Sequence, residues 1–434
     1  MARVLLLATT TGYQTRSFGE AAERLGVELV FATDRCDMID DPWRDGAIPI
    51  RFHDEDRSVA AILESARLHP LDGILVVGDR PTVIAARVAR ALGRPGHPPE
   101  AAGIARNKEM MRMRLREAGL AVPSFIHLSI DDEPLDIRSI PLTYPCVVKP
   151  VALSGSRGVI RADDPKGLAA AFERLRALLR SPDVRGERDA ANDAVLIESF
   201  IPGAEYAIEA ILHHGHLHVL AIFDKPDPLD GPFFEETIYV TPSAAPRHVQ
   251  DAVARAVAAA AEAIGLHHGP IHAECRVHPS TGDVFVLEVA ARPIGGLCAR
   301  VLRFAPDGIR DHIPNPESQI SLEDLLLMHA LGDDPARHRR ESGAAGVMMI
   351  PIPRRGVLRV VHGVESAKSV PHVEDVRITA KPDQRLVPLP EGASYLGFIF
   401  ARAPDAAVVE RALRDAHAQL TFLIDPELPM LTSR

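Results

Sequence analysis

Cysteine is scarce in this 434-residue sequence, and its four copies, Cys36, Cys146, Cys275 and Cys298, are scattered. No pair has the spacing of a zinc knuckle or a redox dithiol, so neither chemistry is indicated. Cys146 and Cys275 sit in apolar, strand-like runs, where a reduced and buried thiol is expected. Long hydrophobic runs are missing too. None approaches the ~18 residues of a membrane span, and the apolar stretch after Met1 is too short for a signal-peptide core. A cytoplasmic address with no membrane partner is the expectation. Nor is there a long basic run: 49 Lys and Arg against 59 Asp and Glu give a net charge of −10, which argues against a nucleic-acid partner. The nearest basic run, Arg337 to Arg340, reads as a solvated turn.

Two glycine signatures are absent as well. No Gly-x-x-x-x-Gly-Lys-Ser/Thr opens a helix, and no Gly-x-Gly-x-x-Gly follows a strand, so a Walker A loop and a dinucleotide fingerprint are excluded. What the chain does have is length for two to four domains. At the front, Val4–Ala8, Glu28–Ala32, Ile48–Phe52 and Gly73–Val77 read as strands. Apolar helical stripes through Phe18, Ala21 and Leu25, through Val59, Ile62 and Ala66, and over Pro81–Leu92 alternate with them. That alternation predicts a doubly wound parallel sheet. A Pro/Gly-rich stretch, Gly93 to Pro99, closes this domain at about residue 98.

The next informative stretch runs from Tyr144 to Val159. A β-branched run carries Lys149, and Ser154, Gly155, Ser156, Arg157 and Gly158 follow. Such a loop can turn successive N–H groups toward phosphate oxygens while the lysine supplies a point charge. It can equally be a plain hairpin turn. Lys108 opens the helix before it. Downstream, Glu198 interrupts an apolar strand, and Glu205 follows a Pro-Gly turn, placed either to accept ribose hydroxyls or to face solvent at a strand edge. The polar insert Arg185–Asp193 reads as mobile. The loop around Phe234, Glu235 and Glu236 suits an amine-bearing substrate, or else anchors an aromatic beside solvated acids.

Two further runs, His272–His278 and Asp283–Val289, form a hairpin in which Glu274 and Glu288 are the interior acids. A loop of three or five residues would set them opposite each other, and one of four on opposite faces. Like charges on neighbouring strands call for a cation between them, and hard oxygen ligands call for Mg²⁺ or Mn²⁺. Arg292 follows, placed either to stabilise an anionic intermediate or to neutralise those acids, and Gly295 and Gly296 let backbone approach a ligand.

Taken in this order, Lys108, the Lys149 strand and its loop, Glu198 to Glu205, and the Glu274/Glu288 pair resemble the ATP-grasp fold. Asp224-Lys225, Phe234 to Thr237, Glu288 to Arg292 and the tail from Gly346 resemble its L-amino acid ligase branch. The resemblance implies a mixed α/β and α+β chain. A pre-ATP-grasp domain occupies 1–98, a two-lobed ATP-grasp domain 99–335 (nucleotide lobe about 122–205), and a small β-rich domain with a terminal helix 336–434. In that tail Val347–Ile352, Gly356–Val361, Ser366–Val370 and Leu396–Ala401 read as strands and Val408–Leu423 as helix.

By the same resemblance, Lys108 and Lys149 bind ATP phosphates beneath the Ser154, Gly155, Ser156 and Gly158 loop. Glu198, Phe200 and Ile201 hold adenine, and Glu205 the ribose. Glu274 and Glu288 ligate Mg²⁺, Arg292 is catalytic, and Glu236, Tyr239, Arg292, Gly295 and Gly296 face the substrate. Two positions depart from the family pattern: Ala290 stands where Asn is common, and Tyr239 where related ligases often have His. The implied reaction joins a small carboxylate to an amine, both expected to be amino acids, through an acyl phosphate. A bicarbonate-activating carboxylase and a nucleotide-binding protein without turnover are the alternatives. The oligomeric state is open, with a homodimer among the options.

Overall fold

The computed structural model describes residues 1–9, 12–34, 47–132, 143–307 and 319–427. Cys36 lies outside them. The first sheet is parallel, with strand order β3-β2-β1-β4, built from β1 (Arg3–Ala8), β2 (Glu28–Asp34), β3 (Ile48–Ile50) and β4 (Gly73–Val77). Val4 to Ala8 are fully buried, as a strand covered on both faces requires. Helices α1 (Gly12–Leu25), α2 (Glu55–Leu68) and α3 (Thr82–Ala91) complete the doubly wound unit.

Two more helices follow, α4 (Pro99–Arg106) and α5 (Lys108–Glu117). The Asn107 side chain accepts the Met110 N–H at 3.0 Å, an N-cap that fixes Lys108 at the first helical position. Next comes an antiparallel sheet of order β5-β8-β6-β7, from β5 (Phe125–Ser129), β6 (Cys146–Pro150), β7 (Ile160–Ala162) and β8 (Ala194–Ser199). One face packs on the helix Pro165–Leu179, and Cys146, Val148, Val195 and Ile197 belong to that core. Period-2 alternation turns Val147, Lys149 and Glu198 to the other face.

The largest sheet has eight strands in the order β13-β12-β9-β10-β11-β17-β21-β19. Five are β9 (Ala204–His213), β10 (His216–Asp224), β11 (Ile238–Thr241), β12 (Gly269–Val277) and β13 (Val284–Ala290). A small sheet of β14 (Arg303–Pro306), β15 (Ile320–Ser321) and β16 (His338–Arg340) intervenes in the chain. Then β17 (Ala344–Ile350) returns to pair with β11, followed outward by β21 (Gly397–Ala403) and β19 (Val373–Ile378). The strands β18 (Gly356–His362), β20 (Arg385–Leu386) and β22 (Thr421–Asp425) form a last small sheet. Residue 335, the expected domain limit, thus falls between two parts of one continuous sheet.

Several local expectations change. Ser366–Val370 is not a strand: Gly363, at φ +84°, caps a short helix Val364–Lys368. The terminal helix ends at Ala418, and Thr421–Asp425 leaves it to pair with β18. The insert Arg185–Asp193 is ordered by short helical turns, with Arg106 bonded to Asp189 at 2.7 Å and Arg80 to the Glu187 carbonyl at 3.1 Å. Residues Arg337–Arg340 include the strand β16 rather than forming only a turn.

Candidate active site

The three larger sheets meet around one cavity of about 380 Å³. Of the residues to which the resemblance gives a site role, all but Gly158 line it. Gly158 instead closes the loop against its lobe. Its φ is +77°, a Cβ there would stand 2.8 Å from Leu175 Cδ1, and its N–H donates to the Pro390 carbonyl at 2.8 Å. Ser154, Gly155 and Ser156 do reach the cavity, with Gly155 and Ser156 both in left-handed backbone, φ +63° and +55°. For serine that conformation is uncommon and costs energy.

Glu274 and Glu288 are direct cross-strand partners. The loop between His278 and Asp283 has four residues, which by simple counting would turn the acids to opposite faces. The ladder runs Val277↔Val284, Arg276↔Phe285 and Cys275↔Val286, then shifts to Glu274↔Glu288. Leu287 is the extra residue, a β-bulge that reverses the facing of everything beyond it. The sequence left the facing open, and the slip settles it in favour of opposed acids.

Each acid already has a cation. Lys108 Nζ lies 3.5 Å from Glu288 Oε2 and donates to the Leu153 carbonyl at 2.8 Å. Lys225 Nζ sits among three carboxylates, 2.7 Å from Glu205, 2.7 Å from Glu236 and 3.0 Å from Glu274. Burial alone would push the Lys225 ammonium down, but the three acids hold it well above its ordinary value. Glu236 moves the other way: burial and the Glu274 charge push its carboxyl up to about 7. Tyr239 lies over this group, its ring 5.0 Å from the Lys225 ammonium and its hydroxyl 3.5 Å from Glu274 Oε1.

Glu198 and Glu205 do not present idle oxygens. Glu198 is bound by Arg112 Nε at 2.6 Å and by Lys149; burial would raise its carboxyl, and these cations bring it below the usual range. Glu205 is shared between Lys225 and Arg276, the latter at 2.8 Å. The Phe200 N–H donates to the Pro145 carbonyl at 3.0 Å, and the Ile201 carbonyl accepts from Arg276 at 2.8 Å. For Lys149, burial outweighs Glu198 and lowers the ammonium to about 8.

Arg292 pairs with Asp79 in a bidentate contact of 2.9 and 3.1 Å. Its ion pair is with Asp79 rather than with Glu274 or Glu288, though the Glu288 charge also acts on it. Asp79 follows β4, so the parallel sheet offers a carboxylate from beyond a strand end, where such sheets present ligand-binding loops. Burial would raise Asp79, and the Arg292 guanidinium brings it below its ordinary range.

Sequence reading passed over several members of this site. Arg112 lies one helical turn after Lys108 on α5, so the two share a face, and that i,i+4 spacing was a usable signal. Glu209 interrupts the apolar run of β9 as Glu198 interrupts β8. It is fully buried, accepts the Ile294 N–H at 3.0 Å and bonds His272 at 3.2 Å. Burial opposes charge on His272, but the hydrogen bond to Glu209 and the Glu274 carboxylate 3.9 Å away raise it to about 9.

The comparisons with known proteins agree with this construction. Residues 142–301 match an ATP-grasp domain, 19–96 an ATP-grasp N-terminal domain, and 348–425 the L-amino acid ligase C-terminal domain 2. The L-amino acid ligase structure from Bacillus licheniformis superposes with a TM-score of 0.79 at 27% identity, covering 98% of this chain and 99% of that one. An uncharacterized protein, y4rH, from Sinorhizobium fredii is 25% identical over 98% of this chain and 84% of its own length. The alanine–anticapsin ligase of Bacillus subtilis strain 168 is 25% identical over 60% of this chain, and the match spans 61% of that ligase. No helix among the described residues is long and apolar enough to cross a membrane. The chain carries an ATP-grasp domain, and over 98% of its length it is similar to an L-amino acid ligase.

Proposed function

We propose that the protein is an ATP-dependent ligase that joins a carboxylate to an amine through an acyl phosphate, releasing ADP and phosphate. The observation that carries this reading is the opposed pair Glu274 and Glu288, sharing one cavity with Lys108, Lys149, the glycine loop and Arg292. The donor set fits a divalent ion: two facing carboxylates, hard oxygen ligands, each already beside an ammonium that marks a place for positive charge. Glu274 and Glu288 would hold Mg²⁺, or Mn²⁺ in its place, which neutralises phosphate charge when bound.

The protein's own groups do the rest. Lys108, Lys149 and the N–H groups of the 154–156 loop hold the phosphates of ATP, with the base toward Phe200 and Ile201 and the ribose toward Glu205. A substrate carboxylate oxygen attacks the γ-phosphorus as its bond to ADP breaks, and Arg292 steadies the charge that develops. The amine nitrogen then attacks the acyl carbon, the electron pair of the carbon–oxygen bond leaves with phosphate, and the surplus amine proton passes to solvent. Glu236, Tyr239 and the Gly295–Gly296 backbone surround the amine-bearing substrate, whose class we place among the amino acids. An acidic group beside the amine position favours this over bicarbonate activation, which needs no such group.

The test is a phosphate-release screen over pairs of amino acids and small carboxylates. Release that requires both partners, yields an amide and disappears in Glu288→Gln is the expected result. Amine-independent, bicarbonate-dependent release would point to the carboxylase, and ATP binding without release to a silent nucleotide-binding protein.

A further inference from the structure

A second cluster of chemistry-bearing side chains lies outside the lining of this cavity. The chain contains two His-His-Gly triplets, His213-His214-Gly215 and His267-His268-Gly269. Antiparallel pairing of β9 with β12 sets Leu212 opposite Gly269, which brings His213 and His268 side by side. The helix Leu322–Ala330 adds His329. From His268 to Glu274 is six residues along β12, on the order of 20 Å.

One ligating nitrogen from each of His213, His268 and His329 can be chosen so that all three lie within 4.8 Å of one another. His213 Nδ1 and His329 Nε2 are 3.3 Å apart, close to the ~3.3 Å edge of a tetrahedron with Zn–N bonds of about 2.0–2.1 Å. His268 is 5% exposed, and its Nε2 has no hydrogen-bond partner, an arrangement that is costly for a buried polar group. Its Nδ1 accepts the His214 N–H at 3.5 Å, a long contact that the tautomer with a lone pair on Nε2 gives up. The rings of His268 and His329 also border a cavity of about 50 Å³, room for an ion or water.

We infer that His213, His268 and His329 form a binding site for a borderline divalent metal ion of the zinc class, separate from the nucleotide site. Imidazole nitrogens select such ions over Mg²⁺, which takes oxygen ligands. Half-buried His213 and exposed His214 give the ion a route from solvent. Three ligands leave a fourth position for water or a further donor. The ion would join the end of β9, the entry to β12 and a helix whose Ala330 carbonyl packs against Gly73 of the parallel sheet.

The test titrates Zn²⁺ against a chromogenic chelator, in excess Mg²⁺ to occupy the carboxylates, with Co²⁺ absorption reporting coordination. The native chain should bind one equivalent. His213→Asn, at a half-exposed position and checked for folding by undiminished phosphate release, should weaken binding at least about tenfold, and His329→Gln likewise. The exposed-site variant His214→Asn/His267→Asn should bind within about threefold of native. Absence of binding by the native chain overturns the inference, as does binding that survives His213→Asn but is lost with His214 and His267.

Discussion

Arg112 donates through Nη2 to the carbonyl of Leu287 at 2.7 Å, the residue at which the β12/β13 ladder slips. Its Nη1 donates to the Val286 carbonyl at 3.2 Å, and its Nε holds Glu198. One buried guanidinium thus binds the bulge that sets Glu288 and the acid that sets Lys149.

Arg112→Met should remove these donors and cost about 3–5 kcal/mol, the usual consequence of breaking a buried pair from one side. Arg112→Lys keeps a charge but not the planar fork. It should fold, with turnover down about tenfold or more and a higher Mg²⁺ requirement. Thermal unfolding and Mg²⁺-dependent phosphate release measure both, and a native Mg²⁺ profile in Arg112→Lys would deny the guanidinium any positioning role.

Lys225 stands among Glu205, Glu236 and Glu274 as an internal counter-ion. Lys225→Met should destabilise the protein by about 3–5 kcal/mol, because three buried acids then face one another. Added Mg²⁺ should raise the melting temperature of the variant more than that of the native chain. Equal shifts in calorimetry would show that the ion does not reach these carboxylates.

The Lys149 ammonium, lowered to about 8 by burial, gives a pH dependence with a definite sign. Its charge is present below that value and lost as pH rises through it, so kcat/KM for ATP should fall above about pH 8, since this parameter reports the free enzyme. In Lys149→Arg the alkaline limb should move up beyond the measurable range. An unchanged limb in that variant would assign the titration to another group.

Glu391 joins the glycine loop to the C-terminal region. It accepts from Arg174 Nε at 2.5 Å, and its carbonyl from Arg157 Nε at 2.9 Å. Exposed pairs of this kind contribute about 1 kcal/mol or less to stability, so Glu391→Ala should leave the melting temperature nearly unchanged. It should raise KM for ATP severalfold by loosening the loop. Nucleotide-binding titration separates the two effects, and an unaltered KM would mean the contact is incidental to closure.

The framework was legible in the sequence because its signals are periodic and repeated. Gly73–Val77 was read with its observed bounds, and the stripe through Val59, Ile62 and Ala66 gave helix α2, Glu55–Leu68. Lys149, Glu274 and Glu288 stood out because each is a charge set into an apolar run, and Lys108 because it opens the helix ahead of the glycine loop. What escaped was decided by single residues or distant partners. A one-residue bulge leaves no mark on alternation, so the facing of Glu288 had to be seen. Gly363 turns a short polar segment into helix, and β22 is a strand because β18 is there to receive it. Arg292 was read as steadying an anionic intermediate or neutralising the Glu274/Glu288 pair, whereas its partner in the structure, Asp79, comes from the far end of the sequence.

The unbroken ladder from β13 to β19 has a practical consequence. Cutting the chain ahead of β17 would not trim an appendage. It would strip β11 of its neighbour and leave a row of bare amide and carbonyl groups, a template for sticking to other copies. A shortened form should therefore be made insoluble by its new edge, even with every residue of the catalytic cleft from the first 300 positions still present.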